Sequence, residues 1–156
     1  VMGQQGKSKN ALVVLTERKT RYEKIFKVKD HPAASVVKCI NSLERKWGRL
    51  FSEIFKTITV DNGTEFADCE GIEKKDKKGK KRTEVYYCHP YCSAERGSNE
   101  NQNRMIRRHI PKGTNFDRKT KKDIQKVEDW LNNYPRPMFD GRSSQELYEE
   151  EMRLII

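Results

Sequence analysis

The feature that most constrains the fold is a β-rich hairpin pattern that leads directly into an amphipathic helix. Residues 11–16 and 22–28 are rich in β-forming side chains and are separated by a short charged link, which predicts two antiparallel strands. Asp30 then suits a helix N-cap, and apolar residues recur at helical spacing until Gly48. A helix with one apolar face must pack that face against another element, so we expect it to cover a sheet.

The rest of the chain continues this alternation of strands and helices. Short apolar strands are predicted at 57–60 and 84–88, and both end in polar residues. Two amphipathic helices follow, at 120–134 and from 143 to about 153, and the second opens with the capping-box pattern Ser-x-x-Glu. The order hairpin, helix, strand, strand, helices excludes an all-α or an all-β domain. It favours an α/β fold in which a mixed sheet is flanked by helices.

Chain length and net charge limit the classes of function that this protein can have. A chain of 156 residues suits one compact domain, so we expect residues 1–156 to form a single domain. Its 33 Lys and Arg residues against 23 Asp and Glu give a formal net charge of +10, which favours a polyanionic partner such as nucleic acid. No stretch approaches the roughly 20 apolar residues of a membrane-spanning helix, so no membrane partner is expected. The N-terminus lacks the features of a signal peptide, which predicts a cytoplasmic location.

Half of the net charge lies in one lysine-rich segment, residues 73–82. This segment has seven basic and two acidic residues and is predicted to be a loop insertion. A solvated loop and a sequence-independent contact to DNA phosphates are both compatible with such a run. The charge run alone does not establish DNA binding.

Asp61 is the first candidate for a catalytic and metal-binding residue. It follows the predicted strand 57–60 and precedes Asn62 and Gly63, a pair typical of a turn. A carboxylate at the C-terminal end of a strand lies where functional sites gather in α/β proteins. An ordinary Asp-Asn-Gly turn without chemistry fits the same residues, and one carboxylate does not make a site.

A second candidate region is the segment 95–110, which is predicted to pass from a loop into a helix ending near Pro111. Residues three, four and seven positions apart are neighbours on a helix. One face therefore carries an acid, an amide and two guanidiniums: Glu100, Asn103, Arg104 and Arg107. The apolar side chains are expected to face inward: Met105, Ile106 and Ile110. The polar face suits holding a metal while gripping phosphates, and an ordinary charged, solvent-facing surface is the alternative.

Several motifs occur in a fixed order along the chain. They are Ala11–Arg21, Thr-Val-Asp-Asn-Gly-Thr-Glu-Phe at 59–66, Cys-His-Pro-Tyr-Cys-Ser at 88–93, Glu-Arg-Gly-x-Asn-Glu-x-x-Asn at 95–103, Pro-Lys-Gly-Thr at 111–114 and Tyr-Pro-Arg at 134–136. In this order, and over nearly the whole chain, they resemble the catalytic core of bacterial insertion-sequence transposases of the IS30 type, within the retroviral-integrase superfamily.

This resemblance implies a ribonuclease H-like fold and a triad of two aspartates and one glutamate. Such a triad binds two divalent cations, Mg²⁺ or Mn²⁺, and catalyses cleavage and strand transfer of transposon DNA ends, a polynucleotidyl transferase reaction. Asp61 matches the second aspartate and Glu100 matches the glutamate. The implied partners are double-stranded DNA, both transposon ends and target, and a second copy of the chain in a homodimer.

The resemblance also implies DNA contacts along the helix that carries Glu100 and in the turn that follows it. The candidate residues are Asn103, Arg104, Arg107, Arg108 and Lys112. The four cationic side chains are expected to position DNA through its phosphate backbone. Asn103 is expected to contact DNA or to support the metal ligands.

Two departures from the family pattern affect the predicted site. Thirty-eight residues separate Asp61 from Glu100, somewhat more than is usual, and the lysine-rich segment accounts for the surplus. Spacing alone allows Glu95 instead, although the Gly-x-Asn-Glu-x-x-Asn pattern favours Glu100. The family's first aspartate falls just before Val1, and no acid precedes Glu17. The first strand is therefore expected to be truncated and these residues to lack strand-transfer activity.

Two other interpretations compete with the transposase hypothesis. Thiolate and imidazole groups are zinc ligands, and four candidates are present: Cys69, Cys88, His89 and Cys92. Their spacing is not that of a recognised zinc finger, and reduced core thiols are the alternative. A non-catalytic basic DNA-binding module would also explain the net charge and the arginine-rich helix. Metal-dependent cleavage of DNA separates the enzyme from the binding module.

Overall fold

The computed structural model describes residues 8–29, 33–89 and 97–156, apart from the side chains of residues 98 and 99. Several predictions lie outside this part of the chain. They concern the truncated strand that begins at Val1, and the residues Asp30, Cys92 and Glu95. Two compact units make up the protein. The first unit comprises Val1–Asp30 and Gly97–Leu154, and the second unit comprises His31–Arg96 with Ile155–Ile156.

The described residues form four strands and six α-helices. In chain order these are β1 (Asn10–Thr16), β2 (Glu23–Lys29), α1 (Ala33–Trp47), α2 (Phe51–Ile54), β3 (Thr57–Val60), α3 (Cys69–Glu73), β4 (Glu84–Tyr87), α4 (Gly97–His109), α5 (Lys121–Asn133) and α6 (Ser144–Arg153). The predicted mixed α/β class is confirmed. Both kinds of strand pairing are present, one antiparallel pair in the first unit and one parallel pair in the second.

The first unit is built on the predicted hairpin. β1 and β2 pair antiparallel, with Asn10 opposite Lys29 and Thr16 opposite Glu23. Their apolar side chains join those of α4, α5 and the segment between these helices in one core: Leu12, Ile25, Met105, Ile106, Ile110, Phe116, Ile124, Val127 and Leu131. This confirms the predicted inner face of α4, so burial of apolar side chains fixes the helix that carries Glu100.

Two buried polar side chains of α5 cover the open edge of β2. Glu128 accepts a hydrogen bond from the backbone N–H of Ile25 (2.7 Å) and pairs with Lys24 (2.6 Å). Asn132 accepts from the backbone N–H of Glu23 (2.8 Å) and donates to its carbonyl oxygen (2.9 Å). Backbone groups buried without partners are costly. Helix α5 therefore satisfies an edge that another strand would otherwise occupy.

Capping boxes start the two closing helices. The Thr120 hydroxyl accepts from the backbone N–H of Asp123, whose carboxylate accepts from the backbone N–H of Thr120 (3.1 and 2.8 Å). Ser143 and Glu146 make the same exchange before α6, as their sequence pattern predicts (3.2 and 2.7 Å). Each pair satisfies donors that the first turn of a helix leaves free, so local sequence determines both start points.

The second unit contains β3 and β4, which pair in parallel with Thr57 opposite Glu84 and Val60 opposite Tyr87. Strand β3 matches its predicted bounds residue for residue. Within this unit α1 contacts α3 and a 3-10 turn at Thr64–Phe66. The buried side of α1 carries Val36, Cys39, Ile40 and Leu43. None of the helices in the described residues has the length and apolar content needed to cross a bilayer.

Three local predictions differ from the structure. The helix predicted at 120–134 ends at Asn133, and Tyr134, whose backbone is extended, is 37% exposed. Strand β4 ends at Tyr87 rather than at Cys88. The lysine-rich segment is not a solvated loop throughout, since Arg82 is only 7% exposed.

Candidate functional site

Asp61 lies immediately after β3, at the end where the parallel pair β3–β4 terminates. The side-chain amide of Asn62 donates to the carbonyl oxygen of Cys88 (3.1 Å), and the backbone N–H of Cys88 donates to the carbonyl oxygen of Val60 (2.8 Å). These bonds tie the turn to the end of the neighbouring strand. The Asp61 side chain is half-buried there, in the position predicted from the sequence.

Gly63 holds two carboxylates close together. Its backbone N–H donates to Oδ1 of Asp61 (3.0 Å). A Cβ atom at this position would lie 2.9 Å from Oδ1 of Asp61 and 2.5 Å from Oε2 of Glu65. Both oxygens therefore occupy space that any other residue would fill, and they lie within about 5.5 Å of each other. Glu65 reaches this place through the 3-10 turn Thr64–Phe66, and sequence reasoning did not identify it.

Glu100 lies in the first turn of α4 and is exposed. Negative charge is favoured at this end of a helix, because the backbone N–H groups of the first turn point toward it. On the inner side of α4, Gln102 is buried, and its Oε1 accepts from Nη1 and Nη2 of Arg136 (3.3 and 3.4 Å). This polar contact and the apolar core fix the rotation of the helix, so the face carrying Glu100 points outward.

The predicted cationic residues follow Glu100 along α4. Arg104 is exposed and donates to the side chain of Asn101 (2.8 Å), while Arg107 is half-buried and donates to the carbonyl oxygen of Pro111 (3.3 Å). Burial lowers the pKa of the Arg107 guanidinium. Arg108 is also exposed.

The other two predicted contacts lie on and just after this helix. Asn103 is half-buried on α4. Lys112 is exposed in the turn Pro111–Thr114, in which Gly113 adopts a φ of 83° that favours glycine. The structure thus places the predicted DNA-contacting residues on one helix and its following turn.

Potential metal ligands do not form larger clusters within the described residues. No group of three or more His, Cys, Asp or Glu side chains there is arranged to hold a metal ion. The zinc hypothesis therefore finds no such cluster among its three described candidates, of which Cys88 is buried and Cys69 half-buried. Asp61 belongs to the second unit and Glu100 to the first. Their joint assignment to one site stays a prediction.

Comparison with solved structures identifies the fold. The catalytic core domain of BIV integrase matches 98% of this chain and 92% of its own, with a TM-score of 0.67 and 19% sequence identity. The fold is thus that of a retroviral-integrase catalytic core, which confirms the ribonuclease H-like fold that the motifs implied. No family model matches the chain.

Sequence comparison identifies the relatives. The chain is 40% identical to the transposase of insertion sequence element IS4351 from Bacteroides fragilis over 128 residues, which is 82% of this chain and 36% of that protein. It is 32% identical to transposase InsI of IS30C from Escherichia coli over 149 residues, or 96% of this chain and 37% of that protein. The chain is therefore related to transposases of the IS30 type, and the resemblance inferred from its motifs is confirmed. It spans little more than a third of these relatives' length.

Proposed function

We propose that this chain is the catalytic core of a DNA transposase that cleaves transposon ends and joins them to target DNA with the help of divalent cations. The observation that carries this proposal is the position of Asp61 at the C-terminal end of β3, within motifs that resemble those of IS30-type transposases. Glu100, in the first turn of α4, is the second proposed catalytic acid. We propose that residues 1–156 act as one catalytic domain in the bacterial cytoplasm.

The residues near Asp61 suit a hard divalent cation. Carboxylate oxygens are the ligands that Mg²⁺ and Mn²⁺ prefer, and the Asp61 and Glu65 carboxylates converge over Gly63. Asp61 and Glu100 are the proposed ligands, and the family pattern calls for two ions. Bound cations would polarise the scissile phosphate and stabilise the leaving oxygen. The Asp61 side chain is held in place by the Gly63 N–H, which limits the reorientation needed to bind a cation.

The exposed cations of α4 and of the turn that follows it are the proposed DNA contacts. Arg104, Arg108 and Lys112 present charge to solvent without burial, and half-buried Arg107 lies on the same helix. Contacts from such side chains to phosphates position a duplex but carry no sequence information directly. We propose that Asn103 contributes to this surface, and that the protein acts as a homodimer on two DNA ends.

Metal-dependent strand transfer tests the proposal. The protein is extended upstream to include the residue that corresponds to the family's first aspartate, since none of residues 1–16 is acidic. Duplexes carrying the ends of the encoding element are incubated with Mg²⁺, Mn²⁺ or Ca²⁺, and products are resolved on denaturing gels. We expect cleavage and joining with Mg²⁺ or Mn²⁺, and no strand transfer by the 156 residues alone.

Substitutions of the candidate carboxylates identify the catalytic acids. Asp61→Asn and Glu100→Gln are expected to reduce cleavage to background while DNA affinity is retained. Glu70→Gln, which changes an exposed carboxylate on α3, serves as the matched control and keeps activity. If Glu95→Gln abolishes cleavage and Glu100→Gln does not, the assignment of Glu100 is wrong. Duplex binding with no cleavage by any extended protein would instead favour the non-catalytic DNA-binding module.

A further inference from the structure

The lysine-rich segment contains a small ordered hairpin, named here the lysine hairpin (residues 74–81). Lys75 and Lys81 form an antiparallel bridge at its base. At its tip the Asp76 carboxylate accepts hydrogen bonds from the backbone N–H groups of Lys78 (2.8 Å) and Lys80 (2.9 Å). Gly79 adopts a φ of 81°, which this reversal requires. The lysine side chains therefore extend from a defined turn.

Arg82 anchors the lysine hairpin to the second unit. Its Nε and Nη2 atoms donate to the carbonyl oxygens of Ile72 (2.7 Å) and Gly71 (2.8 Å). Its Nη1 atom donates to the side chains of Asn41 (2.7 Å) and Glu44 (2.8 Å) on α1. Because this guanidinium is buried and satisfied, it is a structural element and is not available to bind a ligand.

The remaining charges of the lysine hairpin divide into two groups. Lys74 pairs with Glu44 (3.2 Å), and Lys81 pairs with Glu73 (2.6 Å). The other four lysines are exposed and make no ion pair within the part of the chain that the structure describes: Lys75, Lys77, Lys78 and Lys80. Residues 75–80 therefore carry a net charge of +3. Their single acid, Asp76, already accepts the two backbone hydrogen bonds of the tip.

We propose that the lysine hairpin is a second DNA-binding surface, in addition to the arginines of α4, and that it contacts the phosphates of duplex DNA without reading base sequence. A lysine ammonium acts as a point charge with freely rotating donors, which suits phosphates at variable positions. A protein partner would be expected to bury apolar side chains at the centre of its interface, and residues 74–81 have none. This inference rests on the proposed function in one respect, which is that the bound polyanion is DNA.

The salt dependence of DNA binding tests this proposal. The 156-residue chain and a quadruple Lys→Gln variant at positions 75, 77, 78 and 80 are titrated with a 30-base-pair duplex of mixed sequence between 50 and 200 mM salt. Each lost phosphate contact reduces the steepness of the negative slope of log K against log salt concentration by about 0.9. Loss of four contacts reduces the steepness by about 3.6, so the salt-induced fall in affinity is roughly 100-fold smaller in the variant.

A charge-matched variant controls for the general effect of net charge. Lys→Gln changes at positions 38, 121, 122 and 126 remove the same charge from exposed helical sites. We expect this control to change the slope by less than about 1. Equal slopes in the two variants would overturn the proposal. Both variants should keep the parental circular dichroism and unfolding temperature, because the replaced side chains are exposed.

Lysine acylation read by mass spectrometry provides a residue-level measurement. Duplex DNA should protect the four unpaired lysines of the hairpin and leave Lys38 reactive. Protection by polyglutamate but not by duplex DNA would show a surface that faces protein, and the DNA assignment would be wrong.

The proposed function and this surface can fail separately. If the extended protein fails to cleave DNA while the hairpin variant still shows a reduced salt dependence, the proposed function fails and this surface stands. If the extended protein cleaves DNA and the two lysine variants have equal salt slopes, only the proposed DNA-binding surface is rejected.

Discussion

Replacing Glu23 with glutamine is expected to remove a pH dependence of stability from the first unit. Glu23 is fully buried, with Oε1 accepting a hydrogen bond from the Thr16 hydroxyl (2.9 Å) and Oε2 lacking a partner among the described residues. Burial raises the pKa of this carboxyl to about 8. Arg136 and Arg21 oppose the rise, and the Glu128 carboxylate adds to it. Glu23 is thus expected to be mostly protonated at neutral pH.

The magnitude follows from proton linkage. A carboxyl group whose pKa is about 8 when folded and 4.5 when unfolded binds its proton more tightly in the folded protein. Its contribution to stability is complete below pH 4.5, declines as the pH rises, and is lost once the pH exceeds about 8. A pKa difference of 3.5 at 1.36 kcal/mol per unit corresponds to about 5 kcal/mol, of which about 3 kcal/mol is lost by pH 7.

Urea unfolding at several pH values measures this effect. Glu23→Gln resembles the protonated carboxyl in shape and charge, so the variant should gain stability relative to the parent by about 5 kcal/mol between pH 4.5 and 9. Subtracting the two curves cancels all other titrating groups. Glu53→Gln, at an exposed position on α2, should give a flat difference. A stability difference between variant and parent that does not change between pH 4.5 and 9 would refute the reasoning.

Substitutions at three further positions probe other features of the structure. Gly63→Ala should displace the Asp61 and Glu65 carboxylates, abolishing Mn²⁺ binding by calorimetry while lowering stability by less than about 1 kcal/mol, because the crowded atoms are the ends of side chains. Arg82→Met should cost about 3–5 kcal/mol in urea unfolding, since it leaves the carbonyl oxygens of Ile72 and Gly71 without this donor; a cost below about 1 kcal/mol would contradict the anchoring contacts. Thr120→Ala should cost about 1 kcal/mol, and Thr120→Ser should not.

Features specified by short-range interactions were predictable from the sequence. The bounds of β3 and the start of α6 depend on residues within a few positions of each other, as in the exchange between Ser143 and Glu146. Asp61 was found because a turn pattern directly follows an apolar strand. Glu65 was missed because its approach to Asp61 depends on a 3-10 turn that periodicity does not indicate. That Asp61 and Glu100 belong to one site stays a prediction, which rests on the family resemblance.

Buried charges were not predictable, because their partners lie far away in the chain. Glu128 satisfies the backbone of Ile25 across 103 positions, and nothing near either residue indicates this contact. Arg82 and Lys80 belong to the same basic run, yet the guanidinium is buried and the ammonium is exposed. The difference arises because Arg82 lies where the chain returns to α3, within reach of carbonyl oxygens that need donors. A run of basic residues therefore predicts a nucleic-acid surface only after the side chains that make structural contacts have been set aside. In this run, four exposed lysines without ion pairs among the described residues are left.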